Sequence, residues 1–109
     1  MSTDLFAGIP VREYAVARAW YERLFGGEPA FLPNDIEAVW EVGAHQYVYI
    51  VVRPAAAGHA AHLLYVPDLD ARIAAIAERG IEPAAREEYG EAREVVFRDP
   101  DGNEFGFGG

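Results

Sequence analysis

The side chains of this sequence whose types invite chemistry are three histidines, His45, His59 and His62, and one glutamate, Glu104, set in the last apolar stretch. Imidazole titrates near neutrality, so a histidine can act as base, acid or metal ligand, while a carboxylate can take a proton or hold a cation. His45 opens an apolar run, where such a residue is usually solvated or bonded in a turn; His59 lies among alanines, and His62 lies inside a second apolar run. The stretch Asp99-Pro100-Asp101-Gly102-Asn103 begins like a calcium loop but has no distal glutamate, and it reads as a structural turn. Missing residue types close other routes. The chain has no cysteine, so thiolate nucleophiles, disulfides and cysteine-held zinc are excluded. Ser2 is the only serine and lysine is absent, which removes the Gly-x-Ser-x-Gly elbow and the phosphate loop.

The elements that must position these groups follow from periodicity. Leu5 to Val11 is a short apolar run with Gly8 and Pro10, a strand at an edge or with an interrupted ladder. From Ala15 to Phe25 the period changes: Val16, Trp20 and Leu24 recur every four positions with Ala17 and Tyr21 beside them, and Gly26-Gly27 supplies a helix stop. Pro29 to Pro33 is a short strand or turn, Ile36 to Val42 alternates as a strand, and His45 to Arg53, apolar on both faces after Gln46, is a central strand. Residues 55–60 form a linker. The pattern then begins again, with a strand over Ala61 to Val66, a helix capped by Asp68 and ended by Gly80, and a weak edge strand over Ile81 to Tyr89. Glu94 to Arg98 and Asn103 to Phe107 are strands joined by a hairpin whose Pro100 and Gly102 suit a type I turn.

At 109 residues the chain is expected to be one domain, module one at 1–54 and module two at 61–109. A half of this size barely buries enough surface to stand alone, so the halves should share a sheet or a core. Eighteen acidic residues against nine arginines give a net charge of -9, which repels phosphate backbones and anionic lipid; neither nucleic acid nor membrane is expected as a partner. The N-terminus lacks a basic segment before its short apolar stretch, so the cytoplasm is the expected compartment.

The run Gly8-Ile9-Pro10-Val11, the helix Ala17-Arg18-Ala19-Trp20-Tyr21-Glu22-Arg23-Leu24-Phe25-Gly26, then Val66-Pro67-Asp68-Leu69-Asp70, Arg79-Gly80-Ile81 and the closing Asp99 to Asn103 turn occur in an order that resembles the vicinal oxygen chelate superfamily. That superfamily includes glyoxalase I, bleomycin-resistance proteins and extradiol dioxygenases. The resemblance implies an α+β fold of two βαβββ modules whose strands curl into a cup, with helices on the convex side. In the metalloenzymes of the family, strands of both modules deliver four side chains to a divalent ion. Those positions fall on Phe6, Val48, Ala61 and Gly106, none of which has a donor for a metal.

The resemblance therefore implies a metal-independent binder of a small molecule, with no cofactor, of the drug-binding type and working as a homodimer that closes the cup. Its ligand would be aromatic or cationic. The alternative is a glyoxalase-like isomerase, lyase or dioxygenase that uses Glu104 or a tyrosine as its catalytic base, or a metal site at misaligned positions. With Phe6, Val48, Ala61 and Gly106 taken as facing the cup, alternation adds Gly8, Gln46, Ile50, Leu63, Tyr65 and Glu104, and sends Ile9, Val11, Tyr47, Tyr49, Phe105 and Phe107 under the helices. His45 is a further pocket candidate, and Trp40 is either core or a platform for a flat ligand. Alternation turns His62 toward the helices.

Overall fold

The computed structural model describes all residues, Met1–Gly109. Its elements run β1 (Leu5–Val11), α1 (Tyr14–Phe25), β2 (Phe31–Asn34), β3 (Glu37–Gly43), β4 (Gln46–Val52), β5 (Ala61–Tyr65), α2 (Leu69–Glu78), β6 (Ala85–Tyr89), β7 (Ala92–Arg98) and β8 (Glu104–Gly108). This is the expected α+β succession of strand, helix and three strands, made twice. No helix is long and apolar enough to cross a membrane.

The strands form two mixed four-stranded sheets, in the orders β1-β4-β3-β2 and β5-β8-β7-β6. In each, the first strand pairs in parallel with the last strand of its module, and the remaining pairs are antiparallel. The expectation of a shared sheet or core resolves toward the core. One cluster of 17 buried residues takes Ile9, Trp40 and Ile50 from the first half and Ile76, Phe97 and Phe105 from the second. β1 and β5 are edge strands of their respective sheets, and no backbone hydrogen bond joins them. Side chains bridge this seam instead: His62 Nε2 donates to the Gly8 carbonyl at 2.9 Å, and Asn103 Nδ2 donates to that of Pro10 at 2.8 Å.

The first helix buries Ala17, Trp20, Tyr21 and Leu24, and Val16, expected on the same stripe, is exposed instead. A stripe slanted by the 3.6-residue turn favours the Ala17 and Tyr21 column over Val16. Gly26, at φ 81°, ends the helix, and the amides of Gly26 and Gly27 both donate to the Glu22 carbonyl. Arg79, from the end of α2, donates to the exposed carbonyls of Arg23 and Leu24, which ties the helices together. Asp68 takes the position before α2 but makes no capping hydrogen bond; it pairs with Arg72 at 3.4 Å.

The connection between modules passes through a single 3-10 turn, Pro54–Ala56, then buried Ala57 and half-buried Gly58. Gly58 has φ +95°, and a Cβ there would come within 2.6 Å of the Asp101 carbonyl oxygen. Both the left-handed backbone and a collision with main chain oppose any side chain at this point. Gly58→Ala is expected to lower stability by roughly 2–3 kcal/mol. Urea unfolding should show a lower midpoint at an unchanged slope; an unaltered midpoint would mean that the linker yields freely.

Candidate functional site

Both helices cover one face of the paired sheets, leaving the opposite face open. On β1 the alternation holds: Ile9 and Val11 are fully buried toward the helices, while Phe6 is exposed on the open face. On β4 the expected faces are reversed. Val48 and Ile50 lie in the core, and Tyr47 and Tyr49 occupy the open face. The ring of Tyr47 stacks on Phe6 with centroids 4.6 Å apart and planes 12° from parallel. Tyr49 lies across Gly8, where a Cβ would meet its ring at 2.7 Å.

The reversal has two physical causes. Tyrosine and valine are both compatible with either side of a central strand, so composition gives β4 no direction. The ladder between β3 and β4 also shifts register between Glu41 and Gly43, beside His45 at φ 61°, and one residue of slip turns every side chain over.

Trp40 belongs to the core. It is 3% exposed, packs its ring near Tyr21 and Phe25, and donates its Nε1 hydrogen to the Gly27 carbonyl at 3.0 Å. It therefore offers no platform to a ligand. His45 sits in the exposed turn and pairs with Asp4 at 2.8 Å, and Gln46 is exposed at the start of β4 on the helix side of the sheet. His59 is exposed in the linker. His62 does turn toward the helices, with its ring 6.3 Å from that of Phe105.

In the second module alternation places the residues as expected. Ala61, Leu63 and Tyr65 on β5, and Glu104 and Gly106 on β8, share the open face opposite Phe105 and Phe107. The space above Gly106 and Gly108 is taken by β5 side chains: Leu63 lies over the first and Tyr65 over the second. Glu104 is not a free carboxylate, because Arg98 on β7 holds it at 2.8 Å.

Two further acids reach this face. Glu87 on β6 and Glu94 on β7 stand directly opposite one another across the antiparallel ladder and, with Glu104, Leu63, Val96 and Gly106, line a groove of about 250 Å³. The Tyr89 hydroxyl donates to Glu87, and that carboxylate raises the phenol above its usual range. Like charges directly opposite each other destabilise a sheet, and no arginine neutralises this pair. Sequence reasoning passed over both acids, although the alternation of Glu94, Val96 and Arg98 against buried Val95 and Phe97 carries the signal for Glu94.

The open face thus has an aromatic half, Phe6, Phe31, Tyr47 and Tyr49, and an acidic half. Phe31 meets Tyr47 edge to face at 6.4 Å. Of the four positions from which the resemblance would have metal ligands delivered, three hold a stacked phenylalanine, an alanine and a glycine roofed by leucine, and the fourth, Val48, turns into the core. No three histidine, aspartate or glutamate side chains are grouped closely enough to hold a metal ion. The donor set does not fit a divalent cation.

Comparison with known proteins agrees with this architecture. Residues 7–107 match the family model described as Glyoxalase-like domain. The crystal structure of a glyoxalase / bleomycin resistance protein from Catenulispora acidiphila superposes with a TM-score of 0.95 at 47% identity, over 98% of this chain and 97% of that one. TnmS3, an antibiotic binding protein from Streptomyces sp. CB03234, gives 0.74 at 25% identity, over 98% and 94%. A bleomycin-binding protein complexed with bleomycin gives 0.78 at 19% identity, over 97% of each chain, a likeness of fold. No curated protein matches the chain.

Proposed function

The chain belongs to the glyoxalase-like domain family, within the vicinal oxygen chelate superfamily, and from that premise we propose that it binds a small aromatic or cationic molecule without a metal. The observation that carries this reading is the Phe6–Tyr47 stack, an aromatic surface standing where a ligand-bearing strand would present a metal donor. Aromatic rings exposed on a rigid sheet offer a flat partner dispersion and quadrupole contacts. The acidic half beside it draws cations and repels anions, and the chain's net charge of -9 adds to that field. Antibiotic binding by TnmS3 and drug binding in the bleomycin complex lend support to a role in sequestration.

Catalysis through Glu104 has less in its favour, since the carboxylate would first have to leave Arg98. A second copy closing the open face suits the exposure of Phe6, Phe31, Leu63 and Tyr65, and light scattering on the eluted protein tests that part.

Titration calorimetry with planar aromatic cations should give saturable binding that weakens about tenfold or more in Phe6→Ala and in Tyr47→Ala. Affinity should also fall with added salt. Stoichiometric zinc, nickel, manganese or iron in the purified protein would overturn the metal-free reading, and binding indifferent to both substitutions would overturn the site.

A further inference from the structure

The seam between the sheets is fastened unevenly. At one end Asn103, in the turn before β8, reaches the Pro10 carbonyl and His62 on β5 reaches that of Gly8, so β1 is held to the second module there by side chains. Toward Leu5 nothing ties the two edges, and a wedge of about 200 Å³ opens between them on the side of the core. Its walls include Leu5, Ala7, Tyr47 and Val48 from the first module and Leu64 and Phe105 from the second. Phe105 is 2% exposed, so the wedge reaches the interior packing.

No formally charged side chain lines this space in a chain of net charge -9, and its polar groups are few. His62 uses its Nε2 hydrogen on Gly8, and Gln46 stands exposed at the rim. Such a wall offers water almost no partners, whereas an apolar group of matching size would gain contacts on every side. The volume is too small for a helix or a peptide strand.

We propose that the wedge is a second binding site, adjoining the open face through the shared Tyr47 and Leu63 but opening toward the core, for a compact uncharged molecule with an aromatic or branched alkyl body. Its neutrality sets it apart from the neighbouring groove, which shares His62 and Leu63 but carries Glu87, Glu94 and Glu104. A ligand seated there would touch both modules at their unfastened end, so it would favour the closed seam over any state in which the sheets part.

Benzyl alcohol is a suitable probe, followed by amide and methyl NMR on the full chain. Saturable shifts with half-saturation in the millimolar range are expected at Ala7, Val48 and Leu64, and these should be absent in Ala7→Leu, which fills the wedge. Leu5→Trp alters an exposed residue at the mouth and should weaken the same shifts at least fivefold with folding unharmed. Phe6→Ala should leave them intact, which separates this site from the aromatic face. Non-saturating shifts, shifts centred on Phe6 and Phe31, or equal binding in both wedge variants would overturn the proposal.

Discussion

Asn103→Ala is expected to lower the stability of the folded chain by roughly 3–5 kcal/mol. Asn103 is fully buried and every polar atom of its amide is engaged. Its Oδ1 accepts from the backbone amides of Gly58 and Ala60, at 3.0 and 2.9 Å, and its Nδ2 donates to the Pro10 carbonyl and to Asp99 Oδ2, at 2.8 and 2.9 Å. Alanine would strand three partners at once, two amides in the linker and one carbonyl on β1, and would take one of two donors from Asp99 Oδ2, which Tyr21 still holds; stranded buried groups cost their full desolvation. A domain of this size is stable by only about 5–15 kcal/mol, so the variant should unfold at a much lower urea concentration. Asn103→Asp should not rescue it, because a second carboxylate would face Asp99 and the Pro10 carbonyl would lose its donor. A loss below about 1 kcal/mol in Asn103→Ala would show that the neighbours find other partners.

The second large effect belongs to Tyr21, whose hydroxyl donates to Asp99 Oδ2 at 2.7 Å from a fully buried site. Burial raises its pKa far above the ordinary phenol range, and the charges of Asp99 and then Asp101 push it the same way. In the unfolded chain the phenol titrates near 10, so above that pH the unfolded state releases a proton that the folded state retains. The stabilisation is complete below the unfolded value and is lost as pH climbs toward the folded one. Between pH 10 and 12 the wild type should therefore lose about 1.4 kcal/mol per pH unit more than Tyr21→Phe. The variant begins about 1.5–3 kcal/mol less stable at neutral pH, having lost a hydrogen bond to a charged acceptor, so the two curves converge in alkali. Tyr89, raised by Glu87, acts equally in both proteins and cancels. Parallel curves in urea unfolding across this range would refute the assignment.

How much of this was written plainly in the sequence depends on whether a local signal had an unambiguous sign. The glycine stop at Gly26, the return of the strand and helix pattern after the linker, and the Asp99 to Asn103 hairpin all rest on single residues that tolerate few conformations, and each stands where it was expected. In the second module, alternation from the positions that the resemblance implies sets Leu63, Tyr65 and Glu104 on the open face, where they stand, and the glycines alternating with phenylalanines on β8 carry the same contrast. β4 offered no such contrast. Its alternating tyrosines and valines suit either side, and the slip beside His45 is a tertiary event that leaves no local trace. For that reason Val48 and Ile50 are expected on the open face but turn into the core, Trp40 resolves to the core of its two readings, and Tyr47, expected under the helices, lies on the open face. Arg98 reaching Glu104, and Glu87 facing Glu94, depend on strand pairing in the same way.

Fastening the two sheets by side chains rather than by a common ladder has a consequence for how such a protein changes over generations. A continuous sheet transmits register from strand to strand, so an insertion in one strand disturbs all its neighbours. Here that transmission stops at the seam, and Asn103, His62 and the shared interior are what each half must preserve for the other. Each half can vary its exposed residues independently, and a surface assembled from two freely drifting panels can acquire one chemistry on the left and another on the right.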